Sequence, residues 1–169
     1  MAACDGHLDM VEWLIAIGAD VNYTRLDGTT PLFVAAHNGH TGVVAQLTTE
    51  PGVDVNKARA DSATPLFAAS AQGHVEVVER LIAAPGVDVN RPCSNGTTPL
   101  LVVATPLFAA SALGHVEVVE RLIAAPGVDV NRVCSNGTTP LLVALARGDA
   151  DVAQKLRAAG ATEPHGYVF

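Results

Sequence analysis

A short pattern recurs along this chain at an almost constant interval, and that periodicity limits what it can fold into. Thr-Pro followed by Leu occurs at Thr30-Pro31, Thr64-Pro65, Thr98-Pro99, Thr105-Pro106 and Thr139-Pro140. Gly-His occurs at Gly6-His7, Gly39-His40, Gly73-His74 and Gly114-His115, and Gly148-Asp149 takes that place in the last copy. Asp-Val-Asn closes the copies at Asp20–Asn22, Asp54–Asn56, Asp88–Asn90 and Asp129–Asn131. Most spacings are 33 or 34 residues. One such copy cannot bury its apolar faces alone. Neighbours bury them jointly, so the copies must stack as a solenoid.

Each part of the pattern has a local physical role. A Thr hydroxyl before Pro caps a free N–H, and Pro fits the first helical turn, where no hydrogen bond is lost. The first helix is short and Ala-rich, as in Pro65 to Ala71, and Gly73 ends it as a left-handed cap. The spacing predicts a second helix from about Val75 to Ala84, with Val75, Val78, Leu81 and Ile82 on one face. Glu76 and Arg80, and again Glu117 and Arg121, stand four apart on the wet side, where they can pair weakly. Pro51, Pro85 and Pro126 stiffen the helix ends, and Ser94-Asn95-Gly96 reads as a turn. Aromatic residues make up only 4% of the chain, so the core must be built from Ala, Val and Leu in close contact.

These motifs resemble the ankyrin repeat, with its Gly-x-Thr-Pro-Leu-His start, central Gly-His and closing Gly-Ala-Asp-Val-Asn. Gly18-Ala19-Asp20-Val21-Asn22 matches that close directly, and the likeness covers nearly the whole chain. It implies an all-α solenoid of stacked helix-turn-helix units joined by short β-hairpins or turns. The units are expected at about 1–24, 25–58, 59–92, 93–133 and 134–162, with 163–169 as a loose tail. There are departures. The family His after Thr-Pro-Leu is Phe33, Phe67, Leu101, Phe108 or Leu142, so apolar packing must replace its polar bridge. Ser62 stands where a hairpin Gly is expected, which predicts an irregular hairpin.

Residues Thr64 to Ala104 and Thr105 to Leu145 are near-copies, differing only at Gln72/Leu113, Pro92/Val133, Val103/Ala144 and Ala104/Leu145. A tandem duplication of this 41-residue block leaves two Thr-Pro-Leu starts seven residues apart. One helix running through both would bury Pro106 in its interior at a cost of ~3 kcal/mol. Thr105-Pro106 is therefore expected to restart the helix, with Thr98 to Ala104 bulging out. The first unit starts midway through a helix and reads as cut short, whereas Arg147, Asp149, Asp151, Gln154, Lys155 and Arg157 make the last unit polar enough to cap a stack.

Charge and motifs argue against several function classes. A net charge of −7 with ten scattered basic residues disfavours nucleic acid and anionic membrane as partners. The uncharged stretch from Pro92 to Val116 is broken by Pro99 and Pro106, so it does not read as a membrane helix. No secretory signal is evident in the polar first ten residues, and three cysteines do not make a disulfide framework. The expected compartment is cytoplasmic or nuclear. His7, His40, His74 and His115 share one repeat position, and helices stacked ~8–10 Å apart cannot bring them to the ~2 Å that zinc requires. Cys93 and Cys134 are likewise too far apart to bridge. Asn22-Tyr23-Thr24, Asn95-Gly96-Thr97 and Asn136-Gly137-Thr138 match the glycosylation triplet only through turn chemistry. No metal, cofactor or catalytic set is expected.

The resemblance implies a monomeric module that binds another protein through its concave face of hairpin tips and first helices. At the tips the matching positions are Leu26, Asp27, Thr29, Asp61, Ala63, Ser94, Asn95, Thr97, Ser135, Asn136 and Thr138. On the first helices they are His37, Asn38, Ala71, Gln72, Ala112, Leu113, Ala146 and Arg147. The alternative is a regulatory segment of a larger enzyme, channel or signalling protein whose active part lies elsewhere.

Overall fold

A computed structural model of the chain describes residues 1–94 and 103–163. Its helices come in pairs: α1 (Ala2–Asp5) with α2 (Leu8–Ala16), α3 (Pro31–His37) with α4 (Thr41–Thr49), and α5 (Pro65–Gln72) with α6 (Val75–Ala83). After two short strands, β1 (Cys93–Ser94) and β2 (Val103–Ala104), come α7 (Pro106–Leu113) with α8 (Val116–Ile123), then α9 (Pro140–Arg147) with α10 (Ala150–Ala158). The first helices stack in one layer, α1 to α9, and the second helices in another, α2 to α10.

The core is a seam between these layers. Leu32, Leu66, Leu107 and Leu141 reach it from one side and Leu47, Leu81, Leu122 and Leu156 from the other, each no more than 2% exposed. Ala35, Ala36, Ala69, Ala110 and Ala144 are fully buried beside them. Their small side chains let successive first helices approach closely.

The helix starts follow the sequence signal. The hydroxyls of Thr30, Thr64, Thr105 and Thr139 accept from the backbone N–H of Phe33, Phe67, Phe108 and Leu142 at 3.0, 3.1, 3.2 and 3.2 Å. The second helices bury a slightly different face from the one expected. Val77, Val78 and Leu81 are buried in α6, while Val75 and Ile82 sit at the margin. Two expected ion pairs are not formed within their helices. Arg121 reaches back to Glu79 of the preceding unit rather than to Glu117, and Lys155 reaches back to Glu120 at 2.5 Å. Stacking brings the next unit's cation alongside, where it competes with the local partner.

The duplication seam resolves as expected at its C-terminal side and differently before it. Thr105 is extended, φ −84° and ψ 165°, and starts α7 afresh. Val103 and Ala104, expected to bulge out, instead pair antiparallel with Ser94 and Cys93. Cys93 thus meets Ala104, whereas Cys134 N–H meets the carbonyl of Thr138 only four residues on. Two of the residues expected to bulge out thus form a strand of the hairpin. Thr98 to Val102 fall outside the described residues.

Ser62 corrects another expectation. Its hairpin is regular, because Ser62 takes the left-handed conformation itself, φ 63°, where Gly28 and Gly137 stand at 80° and 81° in theirs. Ser62 N–H donates to the Arg59 carbonyl at 2.9 Å, as Gly28 does to Arg25 and Gly137 to Cys134.

Candidate functional site

Two polar ladders hold the units in register and so set the geometry of every exposed face. The first uses the Gly-His pair. Nε2 of His40, His74 and His115 donates to the carbonyls of Cys4, His37 and Ala71 in the preceding unit, at 2.8, 3.0 and 3.1 Å. A carbonyl only accepts, so each imidazole carries its proton on Nε2. Each ring lies over the preceding glycine: a Cβ on Gly39 would stand 2.8 Å from the His74 ring. That glycine is therefore required twice, for its positive φ and for the ring above it. Asp149 breaks the series and caps its own helix instead, accepting from Val152 N–H at 3.2 Å.

The second ladder uses the closing Asn. Nδ2 of Asn22, Asn56 and Asn90 donates to the carbonyls of Gly52, Gly86 and Gly127 at 2.8, 2.7 and 2.7 Å. Each Oδ1 accepts from the next unit's Asp54, Asp88 or Asp129 N–H at 2.8 Å. One amide thus satisfies a donor and an acceptor in the following loop.

The hairpin tips and first helices form one continuous face. Neighbouring tips are tied by backbone bonds, Ala60 N–H to Asp27 and Ser94 N–H to Asp61, at 2.9 and 3.1 Å. Phe33, in the place of the family His, is buried against Ala63, Ala68 and Cys93, with Phe67 beside it. Phe67 also flanks Phe108, Ala104 and Cys134. Apolar packing has replaced the polar bridge. Burial pushes the Cys93 and Cys134 thiols up to about 11, and both are free.

Phe33 also organises the surface above it. His37 stacks on it with ring centroids 6.4 Å apart, and the Arg59 guanidinium lies 5.1 Å from its centroid. Arg59 grips Asp61 with two nitrogens, Nε at 3.1 Å and Nη2 closer still. That hydrogen bond holds the Asp61 carboxyl below the usual range against the opposing effect of partial burial. The same contact raises Arg59. Asp27 is also held low, chiefly by the Thr29 N–H, which donates to it at 3.0 Å.

The expected contact residues divide into groups. Thr29 and Ala63 are buried, at 7% and 3% exposure, because both sit on the inward side of the hairpin. Asp27, Asp61 and Asn136 are partly committed to their own turns, each accepting an N–H two residues on. Asn38 spends its amide on the Cys4 carbonyl at 2.9 Å, and Ser94 donates to the Asp61 carbonyl at 3.2 Å. Ala71, Ala112 and Thr138 are half-buried. Leu26, His37, Gln72, Leu113, Ser135, Ala146 and Arg147 are exposed. Asn95 and Thr97 lie outside the described residues. The reading of the residues missed Arg25 and Arg59, although Arg two places before Asp recurs at both tips and carried the signal.

One register on this face stands out. The residue just before the glycine that follows each first helix is Asp5, Asn38, Gln72, Leu113 or Arg147, five side chains of different chemistry, all exposed. The scaffold beneath them repeats while this row does not.

Comparison with known proteins agrees with this architecture. Residues 1–93 match the family model described as ankyrin repeats (3 copies), and residues 107–157 match one described as ankyrin repeats (many copies). The Notch-regulated ankyrin repeat-containing proteins of Xenopus tropicalis and Homo sapiens are each 39% identical over 46 residues, 27% of this chain. The matched stretch spans 40% of the length of those relatives. Among the described residues no helix is long and apolar enough to cross a membrane. With stacked helix pairs, capped Thr-Pro starts and family models matching most of its length, the chain belongs to the ankyrin repeat family.

Proposed function

We propose that this chain is a protein-binding module that engages its partner through the hairpin tips and first helices. Ankyrin repeats generally mediate protein–protein interaction, and they are typically not enzymes. The observation that carries the reading is the exposed row of Asn38, Gln72, Leu113 and Arg147 on a regular backbone. Regular spacing with changing side chains lets a partner be recognised position by position, while the ladders keep the positions rigid. Such pre-organisation lowers the entropy cost of binding. Leu26 and Leu113 supply apolar anchors, and Arg59, His37 and Arg147 supply polar contacts around them.

The test is affinity capture from native lysate with the parent and a His37→Glu/Gln72→Lys/Leu113→Glu variant, read by mass spectrometry. Asn38 stays in place because its amide secures the first unit. A partner retained by the parent and lost by the variant supports both the role and the face. A partner held equally by both puts the contact elsewhere, and no specific partner with either argues against a binding role.

A further inference from the structure

Stacking gathers part of the positive charge of this acidic chain into one row. The segments between each closing Asn and the next Thr-Pro are residues 23–29, 57–63, 91–97 and 132–138. They hold five of the ten basic residues but only two of the seventeen acidic ones, Asp27 and Asp61. These segments are therefore net +3, and the rest of the chain is net −10.

Two of the five cations are answered locally. Arg59 grips Asp61. Asp27, held low chiefly by the Thr29 N–H, also feels the charge of Arg25. The three left over are Lys57, Arg91 and Arg132, and all occupy one register, the residue after the closing Asn. The asparagine ladder fixes the spacing of that register from unit to unit. Lys57 donates to the Asn22 carbonyl at 3.2 Å. Arg91 and Arg132 are exposed, and neither side chain has a partner among the described residues. The acids three places before them turn away. Asp54, Asp88 and Asp129 accept from the N–H of Asn56, Asn90 and Asn131 at 3.0, 3.0 and 3.1 Å, inside their own loops. Apolar surface follows each free cation: Pro92 is half-buried and Val133 is 58% exposed.

We propose that Lys57, Arg91 and Arg132 form a cation row that takes an extended acidic segment of a partner protein, running from unit to unit. This rests on the reading as a binding module and adds the partner's chemistry. Stacked units repeat every ~8–10 Å, and an extended chain advances ~3.3 Å per residue. Carboxylates about three residues apart therefore meet successive cations. Each guanidinium offers a planar fork that fits a carboxylate with two hydrogen bonds. A long polyanion such as nucleic acid is disfavoured, because the net −10 elsewhere repels whatever overhangs the row.

Fluorescence anisotropy tests this with a labelled peptide of about a dozen residues, Glu at every third position and Ala and Ser between. The controls are the same peptide with Gln for Glu and a single-stranded oligonucleotide of similar length. Near-physiological salt screens the chain's overall negative charge beyond ~8 Å. The Glu peptide should bind and the Gln peptide should not, and binding should weaken as salt rises further. Arg91→Glu/Arg132→Glu should bind the Glu peptide about fivefold or more weakly. Arg91→Gln/Arg132→Gln should fall between that variant and the parent. Both variants should keep the parent's denaturant midpoint, since neither arginine has a partner to lose. The proposal is overturned if the Glu peptide binds no better than the Gln peptide, if the variants bind it as tightly as the parent does, or if the oligonucleotide binds more tightly. Should that happen while lysate capture still retains a partner that the His37→Glu/Gln72→Lys/Leu113→Glu variant loses, the binding module stands and only the acidic chemistry falls. If capture also finds no specific partner, both readings fall.

Discussion

Ser62 carries a backbone cost that glycine avoids at the other hairpin tips. A non-glycine residue in the left-handed region costs about 1–2 kcal/mol, offset in part by the greater freedom glycine has when unfolded. Ser62→Gly should therefore raise stability by about 0.5–1 kcal/mol, read as a higher denaturant midpoint at unchanged slope. The buried thiols give a second effect at this scale. Their pKa values stand at about 11 in the fold against 9.0 for an ordinary thiol. The folded state thus holds those protons more tightly than the unfolded state. That stabilisation is complete below pH 9 and is lost as pH climbs toward 11. The melting temperature should fall across that window, and fall less in Cys93→Ala/Cys134→Ala. The core-facing leucines and the capping threonines were legible residue by residue. The Phe33–Arg59 contact was not, because it joins side chains of adjacent units.

Among the elements, α7 has the most constrained start. Two Thr-Pro-Leu signals compete, and only in the second does the Thr lie nine residues before a glycine followed by His, Gly114-His115. Thr105 therefore carries the cap, and Thr105→Ala should destabilise by about 1 kcal/mol in chemical denaturation. The loops depend on the asparagine ladder. Asn56→Ala removes two cross-unit hydrogen bonds, to Gly86 and from Asp88, at 2.7 and 2.8 Å. Partial exposure limits the loss to about 1–2 kcal/mol, and amide exchange should quicken at Asp88. Local chemistry predicted the helix pairs, but the outward residues of α6 and α8 turned out to pair across units. A wet Glu-Arg spacing looks the same in sequence whether the partner lies in its own helix or in the neighbour.

At the scale of the molecule, stability is a sum over junctions, and the junctions are unequal. The first unit buries only Ala3 and Val11 within its helices, whereas α5 and α6 together bury eight residues. Native-state hydrogen exchange should find α1 and α2 opening well before α5 and α6. Uniform protection from end to end would contradict this.

The sequence alone determined the stacked-repeat architecture, the capped helix starts and the apolar replacement of the family His. These follow from short-range rules: a period, a cap, a glycine, a leucine on the inward face. Tertiary structure decided what depends on the next unit. It drew Val103 and Ala104 into a strand pairing, bent Ser62 into a glycine's conformation, sent Arg121 to Glu79 and buried Thr29 and Ala63. Each of these outcomes turns on the distance and angle between neighbouring units, which a repeat pattern implies but does not specify.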